Sequence, residues 1–447
     1  MNLEELAVHV VKLATDGGAT DAECTVSEGE QFSVNVRMGN VETLTEAGSR
    51  GTGIRVLVGK HMGSAYTSDL TEEGLQFMVK SALELAGITT EDPFAGLPEL
   101  SELGKFEQDL GLYSDTVANL EAPFKIEQAT KAEAAALAFD KRIFNSEGGS
   151  FDTHIGRHVF ANSRGFVGSY RSSHCSTGTV PLAREGESME RDYWYSNART
   201  ADGLEKPEVI GRRAAERALR RLGAKKVATQ KAAIVFEPRV ARSLLGNIFE
   251  AVSGSSIYRN ESFLAGKLGE KIASEKITVV DDATIPGLFG SSPFDDEGVP
   301  SRRTVVIEKG VLKNYLLNTY TARKLGMKTT GNASRGLTGN AGVGHGNLYM
   351  ENGDTSLADI IKSIKTGLYV TELMGDGVNI VTGDYSCGAA GLWIENGELT
   401  FAVSEVTIAG TLQEMLLGIE TVGSDLEFRG STAAPTIVIK EMTISGQ

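Results

Sequence analysis

The chain of 447 residues contains little cysteine, few prolines and no long apolar run. Its three cysteines, Cys24, Cys175 and Cys387, lie far apart and are odd in number, which argues against a disulfide framework and favours a reducing cytoplasm. The first residues do not combine a basic start with an apolar stretch, and no segment approaches 18 uncharged apolar residues. We therefore expect neither a secretory signal nor a membrane span.

Positive charge is also scarce, because 44 basic residues face 59 acidic ones and leave a net charge of −15. Such a chain repels polyanions, so we expect neither nucleic acid nor membrane among its partners. The strongly basic run at residues 212–231 also carries an apolar stripe that includes Ala214 and Ala218. This pattern predicts that its charges lie on the solvated face of a packed helix.

Glycine is abundant, with 52 residues, and predicts many tight turns in a strand-rich protein. Lys309-Gly310 and Asn396-Gly397 each separate two apolar runs, which is typical of β-hairpins. No regular alternation of strand and helix is visible. The expected fold class is α+β, multi-domain, with mostly antiparallel sheets, packed helices and a β-rich C-terminal domain.

The expected organisation follows changes in periodicity along the chain. The first part combines a helix, strands near 32–38, 41–46 and 51–59, and a second helix. The expected parts are an N-terminal α+β module at 1–90, a linker at 91–125, a middle α/β meander domain at 126–228 and a β-rich C-terminal domain at 229–447.

Two histidines have the spacing of zinc ligands on a helix, since His154 and His158 are four residues apart. The apolar residues Phe151, Ile155 and Val159 around them instead predict a strand. Four strand residues span roughly 13 Å, which is too far for one metal ion to bind both rings. We expect a polar strand face here.

Other polar groups also lack the context of a known site. The carboxylates at 281–282 and 295–297 do not have calcium-loop spacing and are expected in turns or caps. The Gly-rich segment 331–346 lacks the strand and helix of a nucleotide loop, so it predicts a turn-rich loop bordering a cleft. Nothing in the sequence places a histidine beside Cys387, which we expect to be buried.

Several longer segments in the C-terminal half together resemble the TldD/PmbA family, and within it the PmbA (TldE) branch. They occur in the family order, and a shorter match lies upstream. The matching segments are residues 251–254, 258–259, 262–264, 293–299, 320–326, 370–375, 382–386 and 403–410, with residues 189–193 upstream.

The resemblance implies a cytoplasmic system of peptide proteolysis in which a zinc-bearing TldD-like subunit pairs with a TldE/PmbA subunit. The zinc-bearing branch has a helical His-Glu-x-x-x-His motif and a cysteine near its C-terminus. Phe249, Glu250 and Gly254 stand at the motif positions here, and residues 428–435 contain no cysteine. Phenylalanine and glycine offer zinc no ligand. We therefore expect no catalytic, cofactor-binding or metal-binding residue in this chain, and zinc in the partner.

The expected function is that of an inactive subunit that completes a peptide cleft in a heterodimer with a TldD-like subunit. One alternative is a self-sufficient homodimeric peptidase or hydrolase that uses Cys387, His345 or the carboxylates at 295–297. Another is a regulatory protein linked to DNA gyrase. Strand edges and Gly-rich loops suit capture of an extended peptide by β-addition. The residues expected to line the cleft are Gly344, His345, Gly383, Asp384, Tyr385, Ser386 and Gly388.

Overall fold

The computed structural model describes residues 1–375 and 377–446. It confirms an α+β fold in which most neighbouring strands run antiparallel. In the described residues, no helix has both the length and the apolar character needed to cross a membrane.

One seven-stranded sheet combines strands from the N-terminal and middle parts of the chain. Its order is β3-β2-β1-β4-β5-β6, and β7 also pairs with β5. The pairing of β1 with β4 runs from Glu23 to Val36 and joins the two parts directly. These strands are β1 (Asp21–Arg37), β2 (Asn40–Val58), β3 (His61–Thr67), β4 (Ile143–Asn162), β5 (Val167–Glu185), β6 (Ser188–Arg191) and β7 (Trp194–Ala198).

Two strand predictions for this sheet are wrong. The segments expected as separate strands at 41–46 and 51–59 form the single strand β2, and β3 was not expected. Residues 40–50 are exposed on both faces, so they lack the alternation that marks a half-buried strand. The turn between β1 and β2 lies at Met38 and Gly39, both with positive φ, which is one residue before the turn that the sequence suggests at Gly39-Asn40.

Five helices accompany this sheet. Leu6 and Val10 of the first helix and Met78 of the second share an apolar core with Val26 of β1. Between the second and third helices, residues 100–102 form a short 3-10 turn. The helices are α1 (Leu3–Asp16), α2 (Glu72–Ala86), α3 (Asp115–Ala118), α4 (Ala122–Leu137) and α5 (Pro207–Leu219).

The C-terminal part contains thirteen described strands and five described helices. The strands are β8 (Gln230–Phe236), β9 (Val279–Asp282), β10 (Arg303–Glu308), β11 (Val311–Leu312), β12 (Ala333–Ser334), β13 (Gly342–Val343), β14 (Leu348–Met350), β15 (Thr366–Met374), β16 (Asp384–Glu395), β17 (Glu398–Thr411), β18 (Ile419–Val422), β19 (Thr432–Ala433) and β20 (Ile437–Ser445). The helices are α6 (Pro238–Val252), α7 (Gly254–Tyr258), α8 (Thr319–Leu325), α9 (Leu357–Ser363) and α10 (Leu412–Leu417).

These strands form a closed ring and an open sheet. The ring runs β8-β15-β16-β17-β20 and closes where β20 pairs with β8, while β18 extends it from β20. The open sheet has the order β11-β10-β9-β14-β19, and β12 and β13 form a separate hairpin. Helix α6 contacts β8 and β15 of the ring and β14 and β19 of the open sheet, so it lies between them. Both predicted hairpin turns, at 309–310 and 396–397, are confirmed.

The Gly-rich segment connects the two halves of the molecule. Its middle residues lie against the N-terminal sheet, where Gly339 N donates to Ser64 Oγ at 3.2 Å. Gly53 of β2 is so close that a Cβ atom there would lie 1.5 Å from the Leu337 carbonyl oxygen. The segment expected to border a cleft is therefore docked on a sheet over residues 335–340.

A buried ion cluster reinforces this contact. The Glu23 carboxylate accepts hydrogen bonds from Arg55 Nε at 2.6 Å and from Arg335, and all three side chains are at most 6% exposed. Burial opposes ionisation of Glu23, but Arg335 and Arg55 outweigh it and hold its pKa below the usual range. Glu23, Arg55 and Arg335, here called the bridging cluster, join the N-terminal sheet to the Gly-rich segment.

Candidate functional site

The motif positions lie around the C-terminal end of α6, with Phe249 and Glu250 inside the helix and Gly254 beyond a break in it. Pro238 begins α6, where a missing N–H costs nothing, and the buried residues Leu244, Leu245 and Ile248 hold its apolar face in the core. The helix ends at Val252, because Ser253 is extended, with φ −60° and ψ 129°. Gly254 is thus the first residue of α7 rather than part of the same helix.

Phe249 packs against a histidine of the Gly-rich segment. Its ring meets the His345 ring edge-on, with 4.8 Å between centroids. His345 Nδ1 lies 2.9 Å from the Gly346 carbonyl oxygen, which only accepts, so Nδ1 carries the proton. In the neutral ring Nε2 then accepts from the Thr432 hydroxyl at 3.4 Å. Helix α6, the Gly-rich segment and the 428–435 stretch therefore meet at this point.

At the other motif positions, Gly254 is tightly enclosed and Glu250 is exposed. A Cβ atom on Gly254 would lie 2.5 Å from Thr321 Oγ1 and 2.7 Å from Leu317 Cδ2, so a histidine there would force its neighbours to move. In the part of the chain that the structure describes, no three His, Cys, Asp or Glu side chains are grouped to hold a metal. The residues at these positions do not fit zinc.

The expected cleft residues fall into two groups. Gly344 and His345 follow the β12–β13 hairpin, and His345 reaches Phe249 as described. Gly383 and the segment Asp384–Gly388 belong to the ring, where β16 pairs with β17. Asp384 and Ser386 are exposed, whereas Tyr385 is buried. A peptide-binding role for either group stays a prediction.

The polar groups weighed as alternative chemistry mostly serve the fold. Cys387 is buried in the C-terminal core beside Tyr385, whose pKa is raised by burial. Asp295 accepts from the backbone N–H groups of Glu297, Val299 and Ala333, which confirms the predicted turn role. Burial, with a smaller contribution from Glu297, raises the pKa of Asp295 to about 8.

The second carboxylate pair and the histidine pair also have structural contacts. Asp281 accepts from Asn332 Nδ2 at 2.7 Å, and Asp282 accepts from the Thr284 hydroxyl at 2.6 Å. The strand predicted around His154 and His158 is confirmed as β4. His158 lies among aromatic rings, 3.5 Å from an Asp296 oxygen.

The prediction for the basic run 212–231 is wrong for its central residues. Arg217 is buried and makes two hydrogen bonds to Glu237, at 2.9 and 3.2 Å. Arg220 is paired with Glu237, while Arg221 is paired with Glu190 and Glu372. Only partner carboxylates from distant segments make such burial favourable, and a helical periodicity does not reveal them.

Comparison with known proteins identifies the family to which this chain belongs. Three family models match successive stretches of the chain: PmbA/TldA metallopeptidase domain 1 at residues 22–86, the central domain at 115–222 and the C-terminal domain at 229–446. These matches identify a metallopeptidase-type architecture. The chain belongs to the PmbA/TldD family.

Individual relatives agree along the whole length. The metalloprotease PmbA of Escherichia coli O157:H7 is 40% identical over 445 residues, which cover 100% of this chain and 96% of that protein. The crystal structure of BT3649 from Bacteroides thetaiotaomicron is similar with a TM-score of 0.92 and 31% identity, covering 99% of both chains. TldE from Thermococcus kodakarensis matches with a TM-score of 0.89 and 25% identity, over 99% of this chain and 100% of that one.

Proposed function

We propose that this chain is a PmbA/TldE-like subunit of a peptide-hydrolysing system and supplies no zinc chemistry of its own. A TldD-like subunit would provide the metal, and this chain would complete the peptide cleft as its partner. The observation that carries the proposal is the chemistry at the motif positions, where Phe249 packs on His345 and Gly254 is enclosed by Thr321 and Leu317.

The contacts of the motif positions support a structural role for them. Phe249 offers no lone pair, and both ring nitrogens of His345 already have partners in Gly346 and Thr432. A general base such as Glu250 has nothing to activate without a bound water of lowered pKa. The helix that carries Phe249 and Glu250 is present, and the residues at the two expected ligand positions cannot bind zinc.

The proposal is tested by comparing this chain alone with its mixture with a TldD-like subunit. Elemental analysis of the purified chain should show no stoichiometric zinc, and peptide cleavage should be absent. The mixture should cleave peptides faster than the TldD-like subunit alone, and a chelator should abolish that activity. A sizing measurement on the mixture should show a complex of both chains.

Two results would contradict the proposal. The first is one tightly held metal ion per isolated chain, or peptide cleavage by that chain. The second is a mixture that behaves like the TldD-like subunit alone. A useful control is Cys387→Ala, because loss of activity of the isolated chain on this change would instead favour a cysteine-dependent hydrolase.

The proposal also places the chain in the cytoplasm. Its three cysteines are buried free thiols, as expected in a reducing compartment. Fractionation of native cells should find the chain with cytoplasmic markers, and recovery with an exported marker would contradict this location.

A further inference from the structure

Two adjoining cavities lie beside the first turns of α6. The larger has a volume of about 510 Å³ and is bordered by β6, β15 and α6. The smaller has a volume of about 200 Å³ and lies between Trp194, α6 and the β19 region. Arg239 and Arg242 line both, and the two cavities together are here called the arginine cavity. Its size is in the range of sites for small organic ligands.

The arginine cavity carries an excess of positive charge. Seven arginines and five carboxylates line it, although the chain as a whole has a net charge of −15. Most of these carboxylates are already used by other arginines. Glu237 binds Arg217 and Arg220, and Glu372 binds Arg221.

The two arginines shared by the cavities lack comparable partners. Arg242 has no hydrogen bond or ion pair with any described residue. Arg239 Nη1 donates to the Tyr193 carbonyl oxygen at 3.3 Å and lies 3.9 Å from an Asp192 oxygen, while its Nε atom is buried without a partner. The donors of Arg242, and those of Arg239 that Tyr193 does not use, are therefore available to an anion that enters the cavity.

The position of these arginines on α6 is unfavourable for the isolated chain. A helix N-terminus favours negative side chains, and α1 and α2 begin with Glu4–Glu5 and Glu72–Glu73. Helix α6 has a carboxylate only at its N-cap, Glu237, which is already paired with Arg217 and Arg220, and its first turn carries Arg239. A bound carboxylate would offset the positive charge of that turn.

Aromatic side chains hold the guanidinium groups in place. Arg239 lies 4.1 Å from the centre of the Tyr193 ring, and Arg429 lies 4.3 Å from that of Trp194. Stacked guanidinium groups are ordered before a ligand binds, so they present planar donors to carboxylates at a lower entropic cost.

The arginine cavity also lies close to the motif position Phe249. Thr432 lines the smaller cavity and contacts His345, which packs on Phe249. Strand β19, which contains Thr432, is the last strand of its sheet in the described part of the chain, and an edge strand is the element with which an extended peptide pairs. We propose that the arginine cavity binds an acidic peptide segment, with its carboxylates on Arg239 and Arg242 and its main chain directed toward β19.

The peptide nature of the ligand rests on the proposed function, but the test needs neither the partner nor catalysis. A fluorescein-labelled hexaglutamate peptide is titrated with the full-length purified chain, and fluorescence anisotropy reports binding. Hexaglutamate should bind, and the neutral hexaglutamine peptide should not. Because the contacts are ionic, affinity should fall strongly between low and high salt.

Three variants locate the binding. Replacing both shared arginines, in Arg239→Gln with Arg242→Gln, should weaken hexaglutamate binding about tenfold or more, since two sets of charge-assisted hydrogen bonds are lost. Glu372→Gln should strengthen it, because it removes a carboxylate that competes for Arg221. Arg212→Gln is the matched control, since Arg212 is exposed on α5 outside the cavity. It should bind like the unchanged chain.

Several outcomes would overturn the inference. The first is that hexaglutamate does not bind, and the second is that the double variant binds it as well as the unchanged chain does. The third is that inorganic phosphate displaces the peptide at the same concentration as the peptide, which would indicate a site for a lone anion. An unchanged urea midpoint of the double variant shows that weaker binding does not come from unfolding. Zinc in the isolated chain would contradict the proposed function yet leave this binding result intact.

Discussion

Two groups of arginines in this molecule differ in how their charges are compensated. In the bridging cluster, one carboxylate, Glu23, serves Arg55 and Arg335 in a region closed to water. In the arginine cavity, Arg242 has no ion pair with a described residue, and the nearest Asp192 oxygen lies 3.9 Å from the Arg239 guanidinium. Because the bridging cluster is buried, its positive charges must be compensated by a carboxylate inside the protein. The arginines of the cavity instead keep hydrogen-bond donors for a ligand. The comparison separates charges that hold the fold from charges that bind.

The largest effect is expected where the buried carboxylate is removed. Glu23→Gln leaves two buried guanidinium groups without the carboxylate that accepts hydrogen bonds from both, and should lower the free energy of unfolding by about 3–5 kcal/mol. Urea denaturation measures this loss. Glu28→Gln on the same strand is the control, because its ion pair with Arg50 is exposed and worth at most about 1 kcal/mol. Equal losses in the two variants would show that the bridging cluster does not hold the halves together.

The docking of the Gly-rich segment gives the next largest effect. In Gly53→Ala the new Cβ would lie 1.5 Å from the Leu337 carbonyl oxygen, so the segment that carries Arg335 must move away. We expect a loss of about 1–3 kcal/mol and faster tryptic cleavage after Arg335. Gly48→Ala is the control on the same strand, since the nearest atom to its Cβ lies at 3.9 Å. A Gly53→Ala chain with the stability and cleavage rate of the control would contradict the docking.

Much of this architecture was predictable from local sequence. The hairpins at 309–310 and 396–397 follow from residues close together in the chain, whereas the motif positions Phe249 and Gly254 were identified through the resemblance to the TldD/PmbA family. The closed ring and the docked segment do not follow from local sequence, because their pairings join segments far apart in the chain. The arginine cavity was missed for the same reason. Three of its arginines, Arg217, Arg220 and Arg221, belong to the run that the sequence predicts to be solvated, because the carboxylates paired with them lie elsewhere in the chain.

A smaller effect on stability is expected from pH, through a carboxyl group near the bridging cluster. Asp295 neighbours Glu297, whose charge acts on both Asp295 and Arg55. The folded chain keeps the Asp295 proton up to a pKa of about 8, while the unfolded chain releases it near 3.8. Unfolding therefore releases a proton between these values, so raising the pH in this window destabilises the fold.

The expected contribution of Asp295 is a loss of about 1 kcal/mol between pH 6.5 and 7.5. Urea midpoints across this range should fall less steeply with pH for Asp295→Asn than for the unchanged chain. Asp16→Asn is the control, since Asp16 is exposed and should keep the original slope. A slope that Asp295→Asn leaves unchanged would mean that this carboxyl is already ionised in the fold.

The smallest effect on stability should come from the arginine cavity itself. Arg242→Gln removes a positive charge without a partner near the N-terminal end of α6, so stability should stay within about 0.5 kcal/mol or rise slightly. Arg217→Gln, by contrast, leaves Glu237 and Asp192 buried without their main cation, and should cost several times more. Urea denaturation at low salt measures both. If Arg242→Gln were as costly as Arg217→Gln, Arg242 would be a structural residue. The distinction between arginines that hold the fold and arginines that bind a ligand would then be wrong.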